Sequence, residues 1–121
     1  MKKSYRDLFI WQAGVGLAAA IIKCAERFPA WQRSILAEQM CRAAVSVPSN
    51  IAEGWGRTSR PEFRRFLHIA RASLCELQTQ LEIAHLVDLL SGKELSDFTA
   101  QARKVGVGIN RLIRYLNSST T

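Results

Sequence analysis

Acidic residues are scarce in this chain. Its 10 aspartates and glutamates stand against 17 lysines and arginines, giving a net charge of +7 over 121 residues. Such a balance disfavours a positively charged partner and points to a polyanion, either nucleic acid or an anionic surface. The plainer role for such charge is to keep a small domain soluble. Histidine occurs only as His68 and His85. Cys24, Cys41 and Cys75 are odd in number, widely spaced and lack a Cys-x-x-Cys pair. That spacing excludes a disulfide framework and reads as buried free thiols in a reducing cytoplasm. No apolar run reaches the roughly 20 residues that a membrane-spanning helix needs. The richest stretch, Ala13 to Ile22, is diluted by Gly14 and Gly16 and closed by Lys23, with no small-residue cleavage site after it. A cytoplasmic core helix with no membrane contact is therefore expected. Strand-like alternation is also missing, which leaves helices.

Four amphipathic segments fill the chain as one domain over residues 1–121. The first is expected over about residues 7–27, with Asp7 as N-cap and Phe28-Pro29 as its stop. It carries two apolar seams. One is Leu8, Trp11, Val15, Ala18, Ile22 and Ala25; the other is Ile10, Ala13, Leu17, Ala20 and Cys24. Both can serve one broad stripe between two neighbours. Alternatively, the first seam enters the core and Ile10, Ala13, Leu17 and Ala20 form an oligomer interface, which is the expectation carried forward. The second segment spans about 33–55 on a Leu36, Met40, Ala43, Val47 and Ile51 stripe, with a kink expected at Pro48. The third spans about 60–90, opened by the capping box Ser59-Arg60-Pro61-Glu62. The fourth spans about 92–117, with Ser91 and Glu94 as a second capping box. Short connections between four such helices predict an all-α, antiparallel up-down four-helix bundle.

Catalytic apparatus is missing. His68 and Cys75 share a helix face but lie about 10 Å apart along it, too far to hold one metal ion. There is no Glu-x-x-His motif, nucleophile elbow, phosphate loop or dinucleotide fingerprint. The expectation is a protein that is not an enzyme, with no cofactor, no metal and no small-molecule substrate.

The cations are segregated. Residues 57–71 hold Arg57, Arg60, Arg64, Arg65 and Arg71 against Glu62 alone; residues 72–100 hold Glu76, Glu82, Asp88, Glu94 and Asp97 against Lys93 alone; residues 101–121 hold Arg103, Lys104, Arg111 and Arg114 with no acid. Arg60, Arg64, His68 and Arg71 recur at steps of four, four and three and so share one helix face. Guanidinium groups fit phosphate through their paired donors, and Trp55 nearby is of a type that stacks on a base. Arg57, Arg60, Arg64, Arg65 and Arg71 are thus the candidate nucleic-acid contacts, for RNA or DNA alike. The alternative is a solvated face with local pairs such as Glu53 with Arg57.

The run Arg42-Ala43-Ala44-Val45-Ser46-Val47-Pro48-Ser49-Asn50-Ile51-Ala52-Glu53-Gly54, continuing through Trp55-Gly56-Arg57 to Glu62-Phe63 and Arg65-Phe66-Leu67, is distinctive. With Ser4 to Leu8, Trp11 and the Leu74–Leu81 stretch, it resembles the four-helix bundle family known as 23S rRNA intervening-sequence proteins. The resemblance implies an antiparallel bundle that assembles into a ring-like homopentamer. Some members are encoded within insertions in 23S rRNA genes. It also implies a fold similar to the accessory proteins of diversity-generating retroelements, which bind reverse transcriptase and nucleic acid. It supplies no catalytic residues. Pro48, Asn50, Glu53 and Gly54 form its signature, and their chemistry suggests a structural task. Pro48 frees the carbonyl of Ala44, and Asn50 and Glu53 are placed to tie the second helix to the third, with Glu53 accepting from Arg57 or Arg65. The functional expectation is a non-enzymatic, oligomeric nucleic-acid-binding accessory protein; the alternative is a homo-oligomeric protein-interaction scaffold that binds no nucleic acid.

Overall fold

The computed structural model describes residues 3–118, except for the side chains of residues 32–34. Four long helices account for most of it: α1 (Phe9–Ala25), α2 (Glu38–Trp55), α3 (Arg60–Leu86) and α4 (Gly92–Ser118). There is no strand among the described residues. α2 and α3 bury the apolar stripes their spacing predicts, α4 buries most of its own, and Leu17, Ile21, Met40, Ile51, Leu67, Leu77, Leu81 and Ile109 are almost wholly enclosed.

α1 packs on α2 and α4, and α3 packs on the same two helices, so the four form a square. Contacts across three of the four sides run in opposite directions along the chain. Arg64 reaches Leu116 and Arg71 reaches Asn110 between α3 and α4. Ile10 lies against Gly108, and Arg27 just past α1 pairs with Glu94 on α4. Ser46 meets Ser73, and Gly54 meets Phe63 and Phe66, between α2 and α3. This is the register of an antiparallel up-down bundle.

Several ends differ from expectation for identifiable reasons. Asp7 does not cap α1. Ser4 caps a short 3-10 turn, Tyr5–Asp7, and the Asp7 carboxylate turns back to accept from the Lys3 amide at 3.0 Å. Leu8 stands at the N-cap without a side-chain bond. Before α2, helical winding begins at Ala30, in a turn (Ala30–Gln32) and a wide turn (Arg33–Ala37) that lead directly into it. Ser59 caps α3 by accepting from the Glu62 amide at 3.3 Å, but the Glu62 carboxylate turns to Arg65 and leaves the box half formed. The Ser91–Glu94 box is complete, with reciprocal bonds of 2.9 and 3.1 Å.

α3 stops at Leu86, short of Leu90. Asp88 adopts φ 64°, the Leu89 amide donates to the Ala84 carbonyl, and the Asp88 amide donates to the His85 carbonyl. These two bonds form a Schellman stop at a position usually held by glycine.

The larger correction concerns α1. Ile10 and Leu17, expected on an outer interface, are 5% and 2% exposed and belong to this chain's own core. Ala13 and Ala20 are half-buried against that core. The seam expected to enter the bundle instead leaves Val15 and Ile22 outside, while Leu8, Ala18 and Ala25 go in. The buried stripe, Ile10, Gly14, Leu17, Ala18, Ile21, Cys24 and Ala25, cuts across both seams.

Candidate functional site

The arginines gather where α2 ends, α3 begins and α4 ends, and they separate into two groups with different partners. Arg57 and Arg65 flank Phe66, with guanidinium carbons 4.8 and 4.5 Å from its ring centroid. Each is paired with a carboxylate, Arg57 with Glu53 at 2.8 Å and Arg65 with Glu62 at 3.2 Å. The Arg65 hydrogen bond holds the Glu62 carboxyl below its usual range, with smaller help from the charges of Arg65 and Arg57. These two arginines brace the α2–α3 corner, and much of their charge is already answered.

Arg60, Arg64 and Arg71 face α4 instead. The Arg60 guanidinium lies 5.5 Å from the Tyr115 ring centroid. Arg64 is half-buried and donates to the Leu116 carbonyl at 3.2 Å, so it satisfies a free acceptor in the last turn of α4. Arg71 donates to Asn110 Oδ1 at 2.9 Å and lies 2.9 Å from His68 Nδ1. Arg111 and Arg114 are exposed on α4 alongside Tyr115. Among the described residues, no carboxylate pairs with Arg60, Arg64, Arg71, Arg111 or Arg114. Arg111 borders a groove with Phe9 and Ile10 of α1, so the uncompensated positive charge runs from the α3/α4 face across the outward side of α4.

The structure places Arg57, Arg60, Arg64 and Arg65 at the end of the bundle where α3 begins and Arg71 about three turns further along α3, and it does not give them one role. Arg64 has a capping task, Arg71 ties α3 to α4, and only Arg60 is exposed without a protein hydrogen-bond acceptor among the described residues. Trp55 is half-buried and packs edge-on against Phe63, with centroids 6.1 Å apart, so it is not a free stacking surface. The aromatic left open on this face is Tyr115, at 58% exposure. Its signal in the sequence is its place on the outward side of the Leu112–Leu116 seam, one turn beyond Arg111 and next to Arg114.

The signature residues make contacts within the chain. α2 runs through Pro48 without losing its helical winding, and the buried proline lies against Gly14 of α1. Asn50 donates from Nδ2 to the Ser46 carbonyl at 2.8 Å and to its Oγ at 2.9 Å. Ser46 Oγ in turn lies 2.8 Å from Ser73 Oγ on α3. Asn50 thus reaches α3 through Ser46. Gly54 is the close-approach point: a Cβ there would stand 2.7 Å from Phe66 Cβ and 2.9 Å from Phe63 Cδ1.

A second surface lies on the opposite side of the square. Val15, Ile22 and Val45 are 39%, 40% and 43% exposed and border a shallow apolar groove between α1 and α2, floored by Ala18, Ala19, Pro48 and Ala52. Of the thiols, Cys24 is buried and accepts from Arg27 at 3.2 Å, Cys41 is half-buried, and Cys75 is exposed rather than buried. Burial raises the first two above the ordinary thiol value. Among the described residues, no three histidines, cysteines or carboxylates are placed to hold a metal ion, and no helix is long and apolar enough to cross a membrane.

No curated protein matches the chain significantly. A crystal structure of a protein of unknown function from the S23 ribosomal protein family of Bacteroides thetaiotaomicron VPI-5482 is similar, with a TM-score of 0.82 at 18% identity. The match covers 87% of this chain and 95% of that one. At this identity the likeness establishes the fold. The family model of the 23S rRNA-intervening sequence proteins matches residues 6–111, and with its signature corner assembled as described, the chain belongs to that family.

Proposed function

We propose that this protein is a non-enzymatic, oligomeric accessory protein that binds nucleic acid through the α3/α4 face. The observation that carries the reading is the group Arg60, Arg64, Arg71, Arg111 and Arg114, set on two adjacent helices with no carboxylate partner among the described residues. Uncompensated charge at fixed spacing favours a polyanion over a neutral partner. Binding to fluorescently labelled RNA and DNA tests it. Engaging three of these arginines per protomer gives a log–log salt slope of about −2 to −3. Arg111→Gln with Arg114→Gln lowers affinity and flattens the slope while helicity stays unchanged, since both side chains are exposed. Absence of RNA and DNA binding even at about 50 mM salt defeats the reading.

The α1/α2 groove supports self-assembly, and a pentamer is the number the family resemblance implies. Val15, Ile22 and Val45 still have part of their surface to bury, worth about 0.5–1 kcal/mol each. Light scattering on the unmodified chain, and on Val45→Glu, tests this. An oligomer that Val45→Glu dissociates is expected; a monomer at micromolar concentration refutes assembly, and a dimer or tetramer refutes only the pentamer. The same groove also favours the second reading, a scaffold with no nucleic-acid activity, which the binding assay separates.

A further inference from the structure

The nucleic-acid reading leaves open which form of the polymer fits, and the exposed aromatic on the basic face bears on that. Resting on that reading, we propose that the α3/α4 face takes single-stranded nucleic acid and that Tyr115 is the platform on which one base stacks.

Three observations lead there. Tyr115 projects from α4 at 58% exposure, while Ile113 and Leu116 beside it go into the core, so its ring contributes little to holding the bundle together. Its surroundings are cationic: Arg60 of α3 is 5.5 Å from the ring centroid, Arg111 lies one turn back, and Arg114 is adjacent in sequence. An aromatic face within reach of several guanidinium groups is the combination that binds a strand by stacking and phosphate contact together.

The third observation is width. α3 and α4 pack side by side, and each is about 10–12 Å across with its side chains, so the face is about 20 Å wide. The major groove of a DNA duplex is about 12 Å wide, too narrow to admit both helices. The deep groove of an RNA duplex is narrower still, and its bases are stacked and paired out of reach. In either duplex the bases are paired and stacked on one another, so none can lie flat on the Tyr115 ring, whereas the phosphates can still meet the arginines. A single strand can turn a base onto the ring while its flanking phosphates meet Arg60, Arg111 and Arg114.

The test uses the full chain with fluorescently labelled unstructured 20-nucleotide single strands of RNA and DNA, and duplexes of the same length. The single strand is expected to bind tighter than the duplex. Tyr115→Leu is expected to weaken single-strand binding about 5- to 100-fold with little effect on the duplex. Tyr115→Phe keeps the platform and is expected to bind within about 2-fold of the unmodified chain. Neither change alters charge, so the salt slope stays the same, whereas each Arg→Gln change lowers it by about 0.7 on a single strand. Circular dichroism checks that the variants fold. Equal binding of single strand and duplex, or unchanged binding by a folded Tyr115→Leu, overturns the stacking proposal and leaves the nucleic-acid reading intact. Absence of binding to all these probes at low salt overturns both. Displacement of the strand by an equal concentration of polyglutamate assigns the face to acidic proteins and likewise overturns the proposal.

Discussion

Gly54→Ala adds one methyl group where α2 and α3 come closest. The new carbon would stand 2.7 Å from Phe66 Cβ, 2.9 Å from Phe63 Cδ1 and 3.3 Å from the Phe63 carbonyl oxygen. Optimal carbon–carbon separation is about 3.5–4.0 Å, so two contacts are short by more than half an ångström. Phe63 can rotate part of the way, but Phe66 Cβ is fixed to the α3 backbone, so α3 itself has to shift. Overpacking of this kind costs about 1–3 kcal/mol, and alanine in place of a helical glycine returns about 1 kcal/mol. With two simultaneous contacts the upper part of that range applies, for a net loss of about 1–2 kcal/mol. That corresponds to a melting temperature lower by roughly 4–8 °C for a chain of this size. Gly16→Ala is the matched control, because a Cβ at Gly16 meets nothing within 4 Å. There only the helical gain remains, and the melting temperature rises by roughly 2–4 °C. Thermal melts followed by circular dichroism at fixed protein concentration, with urea midpoints at unchanged m-value, measure both. If Gly54→Ala melts at or above the unmodified chain, the close-approach account of this signature glycine is wrong.

Other expectations are equally direct. Asp88→Gly relieves a left-handed backbone at φ 64° and stabilises the chain by about 0.5–1 kcal/mol, read as a higher urea midpoint. With the chain folded, Cys75 reacts first with a thiol reagent, half-buried Cys41 reacts more slowly, and Cys24 follows only on unfolding, since it is buried and its thiol is raised by that burial. The Glu94 carboxyl is held below its ordinary value, first by the Ser91 amide and then by Arg27. Because the folded-state value is lowered, its contribution is fully present above the unfolded-state carboxyl range and is lost as pH falls through the lowered value. Glu94→Gln therefore reduces the loss of stability on acidification, seen in melts taken from neutral pH downward.

Much of the architecture is legible in one sequence because each helix writes its stripe independently. The starts of α3 and α4 are legible for the same reason: Ser59 and Ser91 act within one turn. Long-range choices are not. α1 offered two seams of similar composition, and alanine, present in both, marks neither inside nor outside. The decision was made by partners distant in sequence. Ile10 settles against Gly108, whose missing side chain leaves room for it, and Gly14 lets Pro48 lie against α1. Ile21, on neither seam, is fully buried. The end of α3 is not legible, because its stop uses an aspartate where glycine is the usual signal.

The basic face shows the same division between what is local and what is not. Spacing placed Arg60, Arg64 and Arg71 on one side of α3, which is a local fact. Their different tasks follow from the register of α4, which sets the Leu116 carbonyl opposite Arg64, Asn110 opposite Arg71 and the Tyr115 ring opposite Arg60. A charge-reversing change at Arg64 would bring a carboxylate to the negative end of α4 and remove the bond to the Leu116 carbonyl, so lost binding there mixes a structural effect with loss of contact. Arg111 and Arg114 answer the question more cleanly, because they are exposed and accept neutral replacement. The square arrangement adds a geometric consequence: the apolar α1/α2 groove and the basic α3/α4 face lie on opposite sides. Assembly through the groove would therefore leave every basic face uncovered. Repeated around an assembly, faces that each hold a strand weakly would act together, with the second contact strengthened by the effective concentration the first creates. Val45→Glu should then weaken binding to a long strand much more than to one short enough to meet a single protomer. An equal loss on both lengths would show that the groove and the basic face do not cooperate in this way.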